Sequence, residues 1–367
     1  MSGSVGVARL TGAPALVARG LVRRYGDRVA VDHVDAEVGQ GEIVALVGPS
    51  GCGKSSTLRI IAGLDAAAAG TVDVAGVRVT GGRRPVPPEA RGVGMVFQDD
   101  ALFPHLSVAA NVGYGLRRGR SREIVDALLD MLGIASLAAR LPHEISGGEA
   151  QRAALARTLA ARPGLVLLDE PFAHLDASLR EQVRGDMIRA LRRTGSAALL
   201  VTHDQAEALA VADRVLVMRD GRIRQAGTPR EVYDRPADAF VAGFIGRSVL
   251  LPVQVGAGPS ARSALGELAV APGTPAGERL AVLRPETLAL VQPGTGGRSG
   301  TVVGASFRGA DELLRVRLTP RAGETAGIEV EVTSAAQHGL GDEVAVAAVR
   351  PAATVRADGA PDPVGGG

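Results

Sequence analysis

The chain has 367 residues, 41 of them basic and 39 acidic for a formal net charge of +2; 2% are aromatic and none is tryptophan. That balance supplies neither the basic stripe nor the stacking platforms of a nucleic-acid binder, so no nucleic-acid partner is expected. One cysteine, Cys52, excludes an internal disulfide, no run approaches the roughly 20 apolar residues of a membrane-spanning helix, and Met1 to Leu10 lacks the layout of a signal peptide, so a cytoplasmic setting is expected.

Residues 1–14 are small and glycine-rich and are expected to be disordered, as is the tail 357–367, which ends in Pro and Gly. From Ala15 to Gly246 apolar strands alternate with helical stretches, the pattern of a parallel sheet covered on both faces. Glu42–Val47 reads as a buried strand and Ser55–Ala62 as a helix with an apolar face. Between them runs Gly48-Pro49-Ser50-Gly51-Cys52-Gly53-Lys54-Ser55. Strand, glycine loop and helix aim backbone amides and a helix N-terminus at phosphate, with Lys54 reaching the terminal phosphates as a compact charge. Lys54 is the only lysine of the chain, every other basic residue being arginine, whose planar fork is too wide for that place. Cys52 is either an inert buried small hydrophobe or, with Lys54 and a helix N-terminus near, a reactive thiolate in a loop partly open to solvent; maleimide labelling blocked by MgATP is the expectation.

Further along, Gly94–Phe97, Leu165–Asp169, Ala197–Thr202 and Arg214–Met218 read as short buried strands, and Asp176–Arg193 as an amphipathic helix. Ser146-Gly147-Gly148 opens a helix running to about Ala161, and Leu165–Glu170 is an apolar strand ending in two carboxylates that a strand's alternation sends to opposite sides. Asp220-Gly221 marks a hairpin, and Thr228-Pro229 opens another helix. From Ser248 to Val355 the texture is all-β, with strands expected at Thr301–Phe307, Leu313–Leu318, Ile328–Val332 and Glu343–Val349, in a small barrel or sandwich.

The phosphate loop, Gln98 after a strand, the Ile145–Arg152 motif, Asp169-Glu170, Leu175-Asp176 and Thr202-His203-Asp204 follow the order of the motifs of ATP-binding cassette (ABC) ATPases, which the chain resembles over residues 15–246. The resemblance implies an α/β P-loop NTPase fold with a helical subdomain, and binding of ATP and Mg²⁺. It implies that Tyr25 stacks on adenine and that Gly48, Ser50, Gly51, Cys52, Gly53, Lys54, Ser55 and Ser56 line the phosphates. Ser55, Asp169 and Gln98 would serve Mg²⁺, Gln98 also sensing the metal and the water near the γ-phosphate, Glu170 would polarise the attacking water and His203 would contact the γ-phosphate. Ser146, Gly148 and Asp176 would act across a homodimer. The sequence departs from the family at Ile145 and Glu149, a tolerated variant, and at Ala173-His174 near the dimer seam.

Leu283-Arg284-Pro285-Glu286 followed by Gly300-Thr301-Val302-Val303 is similar to the small OB-like barrel, here 248–355, appended to importer ATPases. The stretches 97–107 and 176–182 look most like those of iron(III) importers, with polyamine and sulfate importers as alternatives. Implied partners are a membrane permease, docking on the short apolar-rich surface 101–116, and indirectly a periplasmic or lipoprotein solute-binding protein. The implied location is the cytoplasmic face of the membrane. A cassette ATPase acting on DNA or ribosomes is the alternative from another class; those usually carry two cassettes or a long inserted arm, and this chain has neither.

Overall fold

A computed structural model describes residues 12–97, 102–116, 121–173, 175–292, 295–320 and 327–357. Gln98, the stretch 99–101, His174 and most of the two terminal segments expected to be disordered lie outside these residues. The chain divides into two compact units between Pro229 and Arg230.

The first unit is built on a six-stranded sheet ordered Arg222–Gly227, Arg214–Arg219, Ile43–Val47, Ala198–Thr202, Leu165–Asp169 and Val93–Val96. Five strands are parallel, and the edge strand Arg222–Gly227 returns antiparallel through Asp220 and Gly221. Both turn residues have positive φ, 49° and 80°, as a two-residue hairpin of this twist requires. Every residue of Ile43–Val47 and Ala198–Thr202 is buried, which is why these strands read as unbroken apolar runs. On one face Leu58, Ile60 and Ile61 of helix Lys54–Ala62 join Val44, Leu46, Leu167 and Leu199 in one core. On the other, Leu155 and Leu159 of helix Gly147–Ala160 and Val183, Met187 and Leu191 of helix Ala177–Thr194 join Val166, Leu168 and Leu200.

Alternation of strand and helix does not account for a second sheet in this unit, four antiparallel strands ordered Arg28–Val38, Leu16–Tyr25, Ala69–Val74 and Val77–Thr80. Register shifts interrupt the pairing of its first two strands at three places, and each shift moves the apolar residues out of a simple two-residue period. Its Leu16, Leu21, Val31 and Val72 pack into the core that supports the phosphate-loop helix. Two helices, Val108–Val112 and Ser121–Met131, pack with helix Gly147–Ala160. Asn111, fully buried, accepts from Phe103 N at 2.8 Å and donates to the carbonyls of Phe103, Leu106 and Ser107, so one amide side chain shapes the loop between 103 and 107. Among the described residues no helix is long and apolar enough to cross a membrane.

The second unit carries two five-stranded sheets, ordered Gly266–Ala269, Ser260–Ser263, Val249–Val255, Gly277–Leu283, Ala353–Arg356 and Leu288–Val291, Glu343–Ala348, Arg298–Phe307, Glu312–Leu318, Glu329–Ser334. Leu251, Val253 and Leu283 of the first sheet and Val302, Leu314, Val316, Val330 and Val346 of the second form one core, the small all-β domain expected from the sequence. The short helices Pro229–Asp234 and Ala239–Phe244 are tied to this unit by Arg284, whose guanidinium donates to the carbonyls of Tyr233, Ala242, Ile245 and Arg247.

Candidate functional site

Three parallel strands that are neighbours in the sheet, Ile43–Val47, Ala198–Thr202 and Leu165–Asp169, end side by side, and each delivers one part of the site from its carboxyl end. The phosphate loop follows the first. Two of its glycines are required by space: a Cβ on Gly48 would lie 2.2 Å from the Met218 carbonyl oxygen, and one on Gly53, at φ 111°, would lie 2.1 Å from that of Ala30. Gly53 caps helix Lys54–Ala62 with no side-chain hydrogen bond, which leaves first-turn amides for an anion. Lys54 is 5% exposed, and its Nζ donates to Gly48 O at 2.8 Å and Pro49 O at 3.1 Å, folding the loop around its own charge.

Ser55 Oγ donates to Asp169 Oδ1 at 3.1 Å, bringing the loop and the strand end together. Burial pushes the Asp169 carboxyl above the usual carboxylate range, and the Ser55 hydrogen bond pulls the other way. The next residue, Glu170, has φ 44°, a strained conformation for a residue with a side chain, held by its amide donating to Val201 O at 2.9 Å. Glu170 Oε2 lies 2.9 Å from His203 Nδ1 at the end of the central strand. The structure therefore groups Lys54 with the loop, Ser55 with Asp169, and Glu170 with His203.

Ser146 caps helix Gly147–Ala160, and Glu149 closes the box, accepting from the Ser146 amide at 2.7 Å and its hydroxyl at 2.8 Å. These bonds, the Ser146 amide first, hold the Glu149 carboxyl below its usual range, so this departure from the family pattern has a definite local role. Gly148 is buried where a Cβ would meet Val183 Cγ2 at 2.8 Å, which lets helices Gly147–Ala160 and Ala177–Thr194 approach. Asp176 caps the latter, accepting from Leu179 N at 3.0 Å and from the Ser178 hydroxyl at 2.8 Å. Tyr25 is 46% exposed, with its hydroxyl on Asp65 and the Arg23 guanidinium 4.6 Å from its ring centroid.

Cys52 departs from the expected reactive thiolate. It is 6% exposed within the core beneath the loop, and burial pushes its thiol up, outweighing the nearby Lys54 charge. We expect intact-mass measurement to show no maleimide adduct on the native protein over minutes, with or without MgATP, and one adduct once the chain is unfolded in denaturant. Rapid native labelling would contradict the burial.

Arg91 and Glu207 escaped the sequence reading. Arg91 is buried and donates to Ile60 O and Ile61 O, both at 3.0 Å, closing the end of the phosphate-loop helix. Glu207 is buried behind His203 and accepts from Thr202. One arginine among 40 and one glutamate on a short helix carry no spacing that would mark them.

A phosphate loop, a hydroxyl–carboxylate pair and a carboxylate–imidazole pair at adjacent strand ends define a P-loop nucleotide hydrolase. Residues 31–173 match a family model described as ABC transporter. The chain is similar to the Fe(3+) ions import ATP-binding protein FbpC 1 of Rhodococcus jostii (strain RHA1), 47% identical over 311 residues that span 84% of this chain and 89% of that protein. It is also 43% identical to the sulfate/thiosulfate import ATP-binding protein CysA 2 of Chromobacterium violaceum, over 81% of this chain and 82% of that protein. Among solved structures, the dimeric post-hydrolysis state of the ATP-binding cassette MJ0796 bound to ADP and Pi matches with a TM-score of 0.52 and 28% identity, covering 59% of this chain and 99% of that one. The chain belongs to the ABC transporter family, among its ATP-hydrolysing subunits.

Proposed function

We propose that this chain hydrolyses ATP to drive a bacterial iron(III) importer, as a homodimer docked on separate permease subunits at the cytoplasmic face of the membrane. A periplasmic or lipoprotein solute-binding protein is then a partner only through the permease. The observation that carries this reading is the adjacency of Lys54, the Ser55–Asp169 pair and the Glu170–His203 pair in a chain 47% identical to a protein named for Fe(3+) import.

In this scheme the exposed face of Tyr25 receives adenine, and the amides from Gly48 to Ser56 cradle the phosphates while Lys54 turns from the loop carbonyls to the phosphate oxygens. Magnesium fits the donor set: Ser55 Oγ and Asp169 Oδ1 are hard oxygens beside the loop. Ser55 and Asp169 would hold Mg²⁺ there, and the ion would supply neutralisation of charge on the phosphate oxygens. Glu170 takes the proton of the attacking water, and His203 steadies the Glu170 carboxylate and the γ-phosphate. Ser146, Gly148 and Asp176 complete the site from the other subunit, and Gln98 senses the metal and the water near the γ-phosphate. These residues all precede Arg230, which leaves the β domain an accessory role.

Iron uptake is the direct test. Deleting the gene in its own organism is expected to abolish uptake of radiolabelled iron(III) and spare sulfate, with return on complementation by the wild-type chain and not by Lys54→Ala. Loss of sulfate uptake with iron uptake intact would select the second reading, favoured by the sulfate/thiosulfate relative; unchanged uptake of both would remove the import reading.

A further inference from the structure

Behind His203 lies a carboxyl group that the hydrolytic scheme leaves unused. Glu207, on helix Gln205–Val211, is 3% exposed, and its Oε2 accepts from the Thr202 hydroxyl. Thr202 Oγ1 in turn accepts from the Asp204 amide at 3.0 Å, and the Glu207 amide donates to Asp204 Oδ1 at 3.1 Å. The Glu207 side chain thereby holds the Thr202 hydroxyl, and that hydroxyl in turn holds the Asp204 amide on the other side of His203. The other carboxyl oxygen, Oε1, is buried without a hydrogen-bond partner, and Glu207 lines a pocket of about 20 Å³ with Glu170, Arg180 and His203. Burial raises the Glu207 carboxyl, against the Thr202 hydrogen bond, with Asp204, Arg184 and Arg180 as the charged groups facing it. A buried carboxyl with an orphaned oxygen is an expensive way to pack a helix on a strand, where an apolar side chain would serve.

We propose that Glu207 is a positioning residue for ATP hydrolysis, clamping the turn Thr202–Asp204 so that the His203 imidazole is held against Glu170. The inference rests on the hydrolase reading above. A clamp of this kind acts on the rate and not on nucleotide affinity, because Lys54 and the loop amides stand on a different strand end.

Steady-state MgATP hydrolysis by the full chain tests it, with Glu207→Ala, Glu207→Gln, His203→Ala and the double variant Glu207→Ala/His203→Ala. Glu207→Ala is expected to lower kcat roughly 10-fold while KM stays within about twofold, as for a misplaced catalytic group. Glu207→Gln, whose amide oxygen still accepts from Thr202, is expected to recover most of the rate. The double variant should be no slower than His203→Ala alone, because the clamp has nothing left to position. A rise in KM at constant kcat, losses that multiply in the double variant, or no rescue by glutamine would overturn the proposal. If Glu207→Ala fails to fold, Thr202→Val cuts the same hydrogen bond and carries the same expectations. A wild-type chain with no ATPase activity would remove the hydrolase reading itself, an outcome distinct from additive losses in an active enzyme.

Discussion

Glu170→Gln is expected to bind ATP about as well as the wild type and to lose turnover by roughly 10²–10⁴-fold, the range for removing a positioned general base. Glutamine keeps the shape, and its oxygen still meets His203 Nδ1, whose distance from the Glu170 carboxylate is 2.9 Å. It cannot take a proton. The φ of 44° is set by the Val201 hydrogen bond and the strand end, so the strained backbone should persist and the loss should report chemistry rather than misfolding. With hydrolysis stopped, the variant is expected to collect as an ATP-bound dimer on size exclusion and to return to monomer when nucleotide is removed. Near-normal turnover would take the base role away from Glu170.

The phosphate loop and the paired carboxylates were legible because their chemistry dictates residue type and spacing together: Gly48 and Gly53 stand where a Cβ would strike backbone. The buried parallel strands were legible as apolar runs. The antiparallel sheet of residues 16–80 was not, because its register shifts break the two-residue period that would announce it. Nor was the Glu170–His203 contact, since it depends on two strands becoming neighbours across 33 positions of sequence. Cys52 shows the opposite error. Its local sequence favours a thiolate, and only the packing of the loop onto the core beneath it reveals that desolvation prevails. Glu207 was invisible for a related reason: its meaning lies in which hydroxyl it accepts from.

Arg284→Ala is expected to have the largest effect on the stability of the C-terminal unit. Nη1 donates to the carbonyls of Ala242 at 3.3 Å, Ile245 at 2.5 Å and Arg247 at 3.2 Å, and Nη2 donates to Tyr233 O at 2.9 Å. The guanidinium also lies 3.9 Å from the Tyr233 ring centroid, while the Tyr233 hydroxyl is 2.5 Å from Glu286 Oε1. Burial and the Glu286 hydrogen bond push the Tyr233 phenol up to about 12, so it stays a neutral donor to that carboxylate at any ordinary pH. Truncation would leave several carbonyls and a ring without their partner at a 4% exposed site, a cost of about 3 kcal/mol or more. For a unit of this size that is a fall in melting temperature of roughly 10 °C. Arg284→Lys should recover little, because one ammonium group cannot reach the same spread of acceptors. ATP binding is expected to persist in both variants, since every residue proposed to contact nucleotide precedes Arg230. Calorimetry with and without MgATP measures both effects at once. An unshifted melt in Arg284→Ala would mean that these hydrogen bonds contribute nothing net, and lost ATP stabilisation in a folded variant would place part of nucleotide binding beyond Pro229.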